Sequence, residues 1–165
     1  MTIYFASDHA GYDLKNELLA FVRDDLRFEV HDCGAYKNDP TDNYPAIIAS
    51  AARSLSRDVG SGMESRAIIF GASGQGEAIV ANKFRGVRAV VYYGPTGRQI
   101  DASGKELDMI ASTREHNNAN VLSIGAKFVS SDDAKHIVHA WLSTPFSNEE
   151  RHARRIAQIE EVAHE

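Results

Sequence analysis

The run Gly71-Ala72-Ser73-Gly74-Gln75-Gly76, closed by Glu77, is the part of the chain best suited to chemistry. Three glycines in six residues let a ligand approach the backbone closely, and the first amides of a following helix favour an anion or an enolate oxygen. Glu77 in a first helical turn complements the helix dipole, which by itself is a structural role. The same field keeps the carboxylate ionised, as a general base must be. A base beside oxyanion donors is what proton abstraction next to a carbonyl requires. Asp8-His9 reads either as a helix cap or as a second polar pair at the same site. His116-Asn117, within Arg114-Glu115-His116-Asn117-Asn118, taken alone reads as a solvated loop. Arg151 and Arg155 share a helix face at i, i+4, either as a solvated basic stripe or as a clamp for a phosphate.

Several competing chemistries fail on spacing. A dinucleotide fingerprint finds Gly74 and Gly76, but Ile79 stands at its third glycine, and the strand that follows ends Tyr92-Tyr93-Gly94 without the ribose-binding acid. Ser73 lacks the G-x-S-x-G context of a hydrolase nucleophile. No HExxH, paired-cysteine or calcium-loop pattern is present, so neither a metal nor another cofactor is expected. Cys33, the single cysteine, reads as a small core residue and fits a reducing, cytoplasmic setting.

Alternating strands and helices must position these residues. Strands are expected at Ile3–Ser7, Phe28–Asp32, Arg66–Phe70, Val87–Tyr93 and Val121–Gly125. Between them, Leu14, Leu18, Val22 and Leu26 mark a helix from about Gly11 to Asp25, Pro45 opens one running to about Arg57, and Glu77–Lys83 forms a third. A helical patch is expected near Lys105–Ile110. Ala134, Ile137, Val138, Trp141 and Leu142 give the stripe of a helix from about Ser131. Ser147-Asn148-Glu149-Glu150 fits a capping box for a last helix, whose core stripe would be Ile156, Ile159 and Val162. Five strands joined by helices imply an α/β fold, a doubly wound, flavodoxin-like parallel sheet in one domain spanning residues 1–165. The expected strand order is 2-1-3-4-5, which makes strands 1 and 3 neighbours at the switch point and places Asp8-His9 and the glycine loop together there.

With 165 residues, 43% hydrophobic and 25% charged, the chain has the composition of a globular domain. Eighteen Lys+Arg against 23 Asp+Glu leave a net charge of −5, which argues against a broad nucleic-acid face. The cations are locally concentrated, because residues 151–155 hold three arginines and no acid. No apolar stretch is long enough to span a membrane, and the N-terminal residues lack the basic region of a secretory signal.

Five ordered motifs carry a resemblance that covers nearly the whole chain. Ser7-Asp8-His9-Ala10-Gly11, Asp42-Asn43-Tyr44-Pro45, the run Gly71–Glu77 with Ala81-Asn82-Lys83, Arg114–Asn118, and Arg151-His152-Ala153-Arg154-Arg155-Ile156 together resemble the B-type ribose-5-phosphate isomerases. That group also contains galactose-6-phosphate isomerase subunits. The resemblance implies a cofactor-independent aldose–ketose isomerase working through a cis-enediol. One branch of the family uses a Cys ahead of the glycine loop as base. Gly71 occupies that place here, and Glu77 matches the branch with a Glu base. Ser73 and the amides of Gly74 and Gly76 would hold the enediolate oxygen. His116, assisted by Asp8, would open the sugar ring. Tyr44, Ala72, Gln75 and Asn117 would line the substrate. His9, Lys127, Arg151 and Arg155 would take the phosphate. The resemblance further implies a homodimer or homotetramer with shared active sites. The segment Gly94–Thr113 is longer than the family pattern and leaves a six-carbon sugar phosphate open as an alternative substrate. A non-catalytic anion- or nucleotide-binding module is the remaining alternative.

Overall fold

A computed structural model describes residues 1–95, 97, 99–100, 104 and 106–162. Strand β1 (Thr2–Ser7) runs through a one-turn 3-10 helix (His9–Gly11) into α1 (Tyr12–Asp24). Then come β2 (Glu29–Asp32), α2 (Tyr44–Gly60), β3 (Ser65–Gly71), α3 (Gln75–Ala81) and β4 (Ala89–Tyr92). A short antiparallel ribbon of β5 (Gln99–Ile100) and β6 (Glu106–Leu107) precedes α4 (Met109–Asn117), β7 (Val121–Gly125), α5 (Ser131–Ser143) and α6 (Glu150–Val162).

The main sheet is parallel, in the order β2-β1-β3-β7-β4. The fold class is the expected one, but the two last strands exchange places: β7 enters beside β3, and β4 takes the edge. Burial explains the exchange. Every residue of β3 and β7 is buried, whereas Ala89, Val90 and Val91 of β4 are only half-buried. The strand able to lose water on both faces occupies the interior of a parallel sheet. One face is covered by α1 and α5 through Phe5, Leu18, Val22, Phe70, Val138 and Trp141. The other packs Ile48, Ala51 and Leu55 of α2 against Ala6, Ile69 and Val121.

Three local expectations are corrected. Residues 106–107 form a strand, not helix, and α4 starts later because Asp108 Oδ1 accepts from the Ala111 amide at 2.7 Å; Lys105 lies outside the described residues. Residues 114–117 are the end of α4, not a solvated loop. Arg114 is buried there and donates to carbonyls at the end of α5 and beyond α4. The last helix begins at Glu150 and not at Ser147. Asn148 sits at φ 53, outside helical space, so Ser147 Oγ accepts from the Glu149 amide at 3.4 Å and not in a capping box, while its hydroxyl donates to the Glu115 carbonyl at 2.7 Å. The stripe on α6 is also not core, since Ile159 and Val162 are 51% and 68% exposed. No helix among the described residues is long and apolar enough to cross a membrane.

Candidate active site

Strands β1 and β3 are neighbours, with Ser7 opposite Phe70, so the residues that follow them meet at one edge of the sheet. Asp8 caps the 3-10 turn by accepting from the Ala10 amide at 3.0 Å and is buried. Beside it, the glycine loop leaves β3 and is tied down by the segment after β7. The Ala126 amide donates to the Gly71 carbonyl at 2.9 Å, and the Lys127 amide to that of Ala72 at 3.1 Å. Gly74 has φ 75, and its carbonyl accepts from Ser123 Oγ at 2.6 Å. The loop therefore holds Ser73 and the N-terminus of α3 on a rigid base, with the Gln75 amide donating to Ser73 Oγ at 3.4 Å. Tyr44, at the start of α2, closes over the loop so tightly that a Cβ on Gly76 would lie 2.7 Å from its hydroxyl. Ala72 and Gln75 stand exposed on the rim, as does the Lys127 side chain.

Glu77 is 5% exposed, and its carboxyl group fills the space beside Gly71. A Cβ built on Gly71 would fall well inside 3.0 Å of Glu77 Oε1, Cδ and Oε2. A side chain at 71 and a carboxylate from 77 are thus alternative occupants of one volume. Burial pushes the Glu77 carboxyl above its ordinary range, and the nearby Asp8 charge pushes the same way against the Glu77 amide. Desolvation therefore opposes the helix field at this carboxyl group and sets the direction of its shift. A carboxylate raised in this way is a better proton acceptor near neutral pH.

His9 is the second feature of this edge. Its Nδ1 lies 2.6 Å from Asp42 Oδ1, and its amide donates to the same oxygen at 3.3 Å. The Asp42 hydrogen bond raises the His9 pKa, favouring imidazolium, and leaves Nε2 for an anion. Asp8, His9 and Asp42 offer ligand atoms within 4.8 Å of one another. A cation among them would have to break the short His9–Asp42 bond, so the geometry suits a held imidazolium better than a metal. Cys33 is buried and its thiol pushed up to about 11, chiefly by desolvation, consistent with a core role.

The structure does not bring the remaining candidates to this edge. His116 and Asn117 end α4, just before β7 begins, whereas Gly125 ends β7 beside Gly71. Five strand residues separate them, about 13 Å at ~3.3 Å per residue. His116 packs instead on His152 of α6, with ring centroids 4.5 Å apart. His152 is buried, and its Nδ1 is 3.1 Å from the Ser147 hydroxyl. Arg151 and Arg155 lie exposed on the same helix, with Arg151 Nε paired to Glu149 Oε2 at 2.8 Å. The chain therefore carries Asp8, His9, Tyr44, residues 72–77 and Lys127 on one edge. It carries His116, Asn117, Arg151 and Arg155 on the other. Sequence reading gave no role to Asp42 or His152. Asp42 had a signal only in the Asp42–Pro45 motif, and His152 only in lying between two clamp arginines.

Residues 3–159 match the family model described as ribose/galactose isomerase. Ribose-5-phosphate isomerase B of Mycobacterium tuberculosis (strain CDC 1551 / Oshkosh) is 36% identical over 156 residues, covering 94% of this chain and 86% of that protein. The Escherichia coli (strain K12) protein of the same name is 34% identical over 157 residues, 95% of this chain and 93% of the relative. Among solved structures, ribose-5-phosphate isomerase B from Mycoplasma genitalium with bound ribulose-5-phosphate superimposes with a TM-score of 0.82 at 29% identity. That alignment covers 99% of this chain and 97% of the other.

Proposed function

Because the chain belongs to the ribose/galactose isomerase family and is an aldose–ketose isomerase, we propose that it interconverts ribose 5-phosphate and ribulose 5-phosphate, with Glu77 as the base. The observation that carries the assignment of the base is the Glu77 carboxyl group seated against Gly71, buried and raised in pKa. In this reading Glu77 takes the proton from C2 of the open-chain aldose and returns it at C1 through a cis-enediol. Ser73 and the amides of Gly74 and Gly76 hold the oxygen on which charge develops. Tyr44, Ala72 and Gln75 line the sugar. His9, held as imidazolium by Asp42, takes the phosphate with Lys127, a point charge on the rim.

The groups on the opposite edge complete the site only if a second copy supplies them. His116 of the second copy would then open the ring with help from Asp8 of the first, Asn117 would bind sugar hydroxyls, and Arg151 and Arg155 would clamp the phosphate. Two features support such a shared site in a homodimer or homotetramer: the separation of the two halves across β7, and the uncovered Ile159 and Val162 on the helix that carries the arginines. The lone, buried Cys33 suits a cytoplasmic enzyme.

A six-carbon sugar phosphate is the alternative substrate, motivated by the long segment 94–113. A direct kinetic comparison separates the two. Ribose 5-phosphate is expected to give a kcat/KM about tenfold or more above that for allose 6-phosphate or galactose 6-phosphate. A preference for a six-carbon substrate would replace the pentose assignment.

A further inference from the structure

The proposed reaction leaves one group of buried cations unused. Arg66 of β3 and Arg114 of α4 are 5% and 3% exposed, and Arg88 lies just ahead of β4. All three line one cavity of about 300 Å³, together with Asn118 and Glu64. It shares no residue with the proposed substrate site.

Part of their hydrogen bonding serves the fold. Arg66 Nη1 donates to the Trp141 and Leu142 carbonyls at 3.1 and 3.0 Å, and Arg114 Nε donates to the Thr144 carbonyl at 3.2 Å. Arg88 holds the carbonyls of Gly86, Asn117 and Asn118. These acceptors are neutral and do not balance three positive charges around one space. Glu64 reaches Arg66 at 3.2 Å, yet its side chain is 73% exposed, and Glu160 is 3.9 Å from Arg88. Burial, reinforced by the Arg66 and Arg88 charges, pushes Arg114 down to about 10. Arg114 spends Nε and Nη1 on the protein, while its Nη2 has no acceptor among the described residues.

We propose that this cavity is a second anion site, taking one phosphate-type oxyanion between Arg66, Arg88 and Arg114. Their carbonyl bonds hold the guanidiniums in place before the ligand arrives, so little side-chain freedom is lost on binding. A tetrahedral oxyanion accepts charge-assisted bonds from several guanidiniums at once. The cavity volume suits inorganic phosphate or a small phosphomonoester and not a nucleotide.

The test begins with Arg151→Ala/Arg155→Ala, which removes the arginines proposed for the substrate phosphate. At constant ionic strength, inorganic phosphate is still expected to raise the melting temperature of this variant saturably. Adding Arg66→Met should weaken phosphate binding by calorimetry about tenfold or more. A second variant covers failure of Arg66→Met to fold. Asn118 Oδ1 sits 2.9 Å from Arg114 Nη1, so Asn118→Asp supplies an internal anion. It should melt higher without phosphate and no longer respond to it. Glycerol 3-phosphate distinguishes the source: tighter binding than inorganic phosphate assigns a phosphomonoester, and equal or weaker binding assigns free phosphate. No response to either probe in the Arg151→Ala/Arg155→Ala background overturns the site. So does an undiminished response in both Arg66→Met and Asn118→Asp.

Discussion

Replacing Gly71 by Ala tests the placement of the base without touching the base. The added methyl would lie within the Glu77 carboxyl group, inside 3.0 Å of three of its atoms, with the β3 backbone pinned between β1 and β7. Glu77 must therefore retreat by about 1 Å, a misplacement that costs on the order of 100-fold in turnover. The crowding should also cost about 1–3 kcal/mol of stability. Both are measurable, turnover from steady-state kinetics with ribose 5-phosphate and stability from urea unfolding. Removing the carboxyl as well should relieve the crowding. Gly71→Ala/Glu77→Ala is expected to recover most of the stability lost by Gly71→Ala while staying inactive, with a coupling of about 0.5–3 kcal/mol. Wild-type turnover and stability in Gly71→Ala, or a double variant less stable than the sum of the singles, would refute the shared volume.

Two further outcomes follow from the same geometry. The Asp42 hydrogen bond raises the His9 pKa above 6.5, so imidazolium, and with it phosphate affinity, persists below the raised value and is lost as pH rises through it. Its contribution to stability has the same sign, fully present below the unfolded pKa and lost as pH rises through the folded one. Asp42→Asn should move the rise of KM with pH to lower pH, and an unchanged KM profile would remove Asp42 from this role. Glu77→Gln and His116→Ala should each be inactive, yet subunit exchange between them should restore on the order of a quarter of wild-type activity, because a hybrid dimer holds one intact shared site. Mixtures that stay inactive despite demonstrated exchange would show that each site is built within one protomer.

The local periodicities were legible because each reports on a single element. Leu18 and Val22 are buried with Leu14 and Leu26 packed beside them, and β7 and α5 fall where their patterns put them. Strand order was not, because no residue of β4 names its neighbour; only the continuous burial of β3 and β7 distinguishes centre from edge. The capping box misled because the positive φ of Asn148 breaks the turn after Ser147, whose hydroxyl meets the Glu149 amide at 3.4 Å and reaches the Glu115 carbonyl across 32 residues. Buried charges were invisible for a similar reason. Arg66 and Arg114 lie 5.4 and 5.7 Å from the Trp141 ring and are held in place by carbonyls far away in the chain. At the candidate site, the meeting of Asp8-His9 with the glycine loop was legible from the adjacency of the first and third strands, and the finer placement was not. The Glu77–Gly71 contact needs the strand register, and the division of the candidates between two edges needs the sheet.

The central claim is that Glu77 moves the proton. Solvent exchange tests it most directly: ribose 5-phosphate is incubated in deuterated water with the wild-type enzyme or Glu77→Gln, and deuterium at the transferred position is followed by NMR. The wild type should incorporate label as it isomerises. The variant should lose exchange and turnover together by about 100- to 10,000-fold while keeping its melting temperature and its affinity for the sugar phosphate. Exchange and turnover in Glu77→Gln at the wild-type rate would contradict the account.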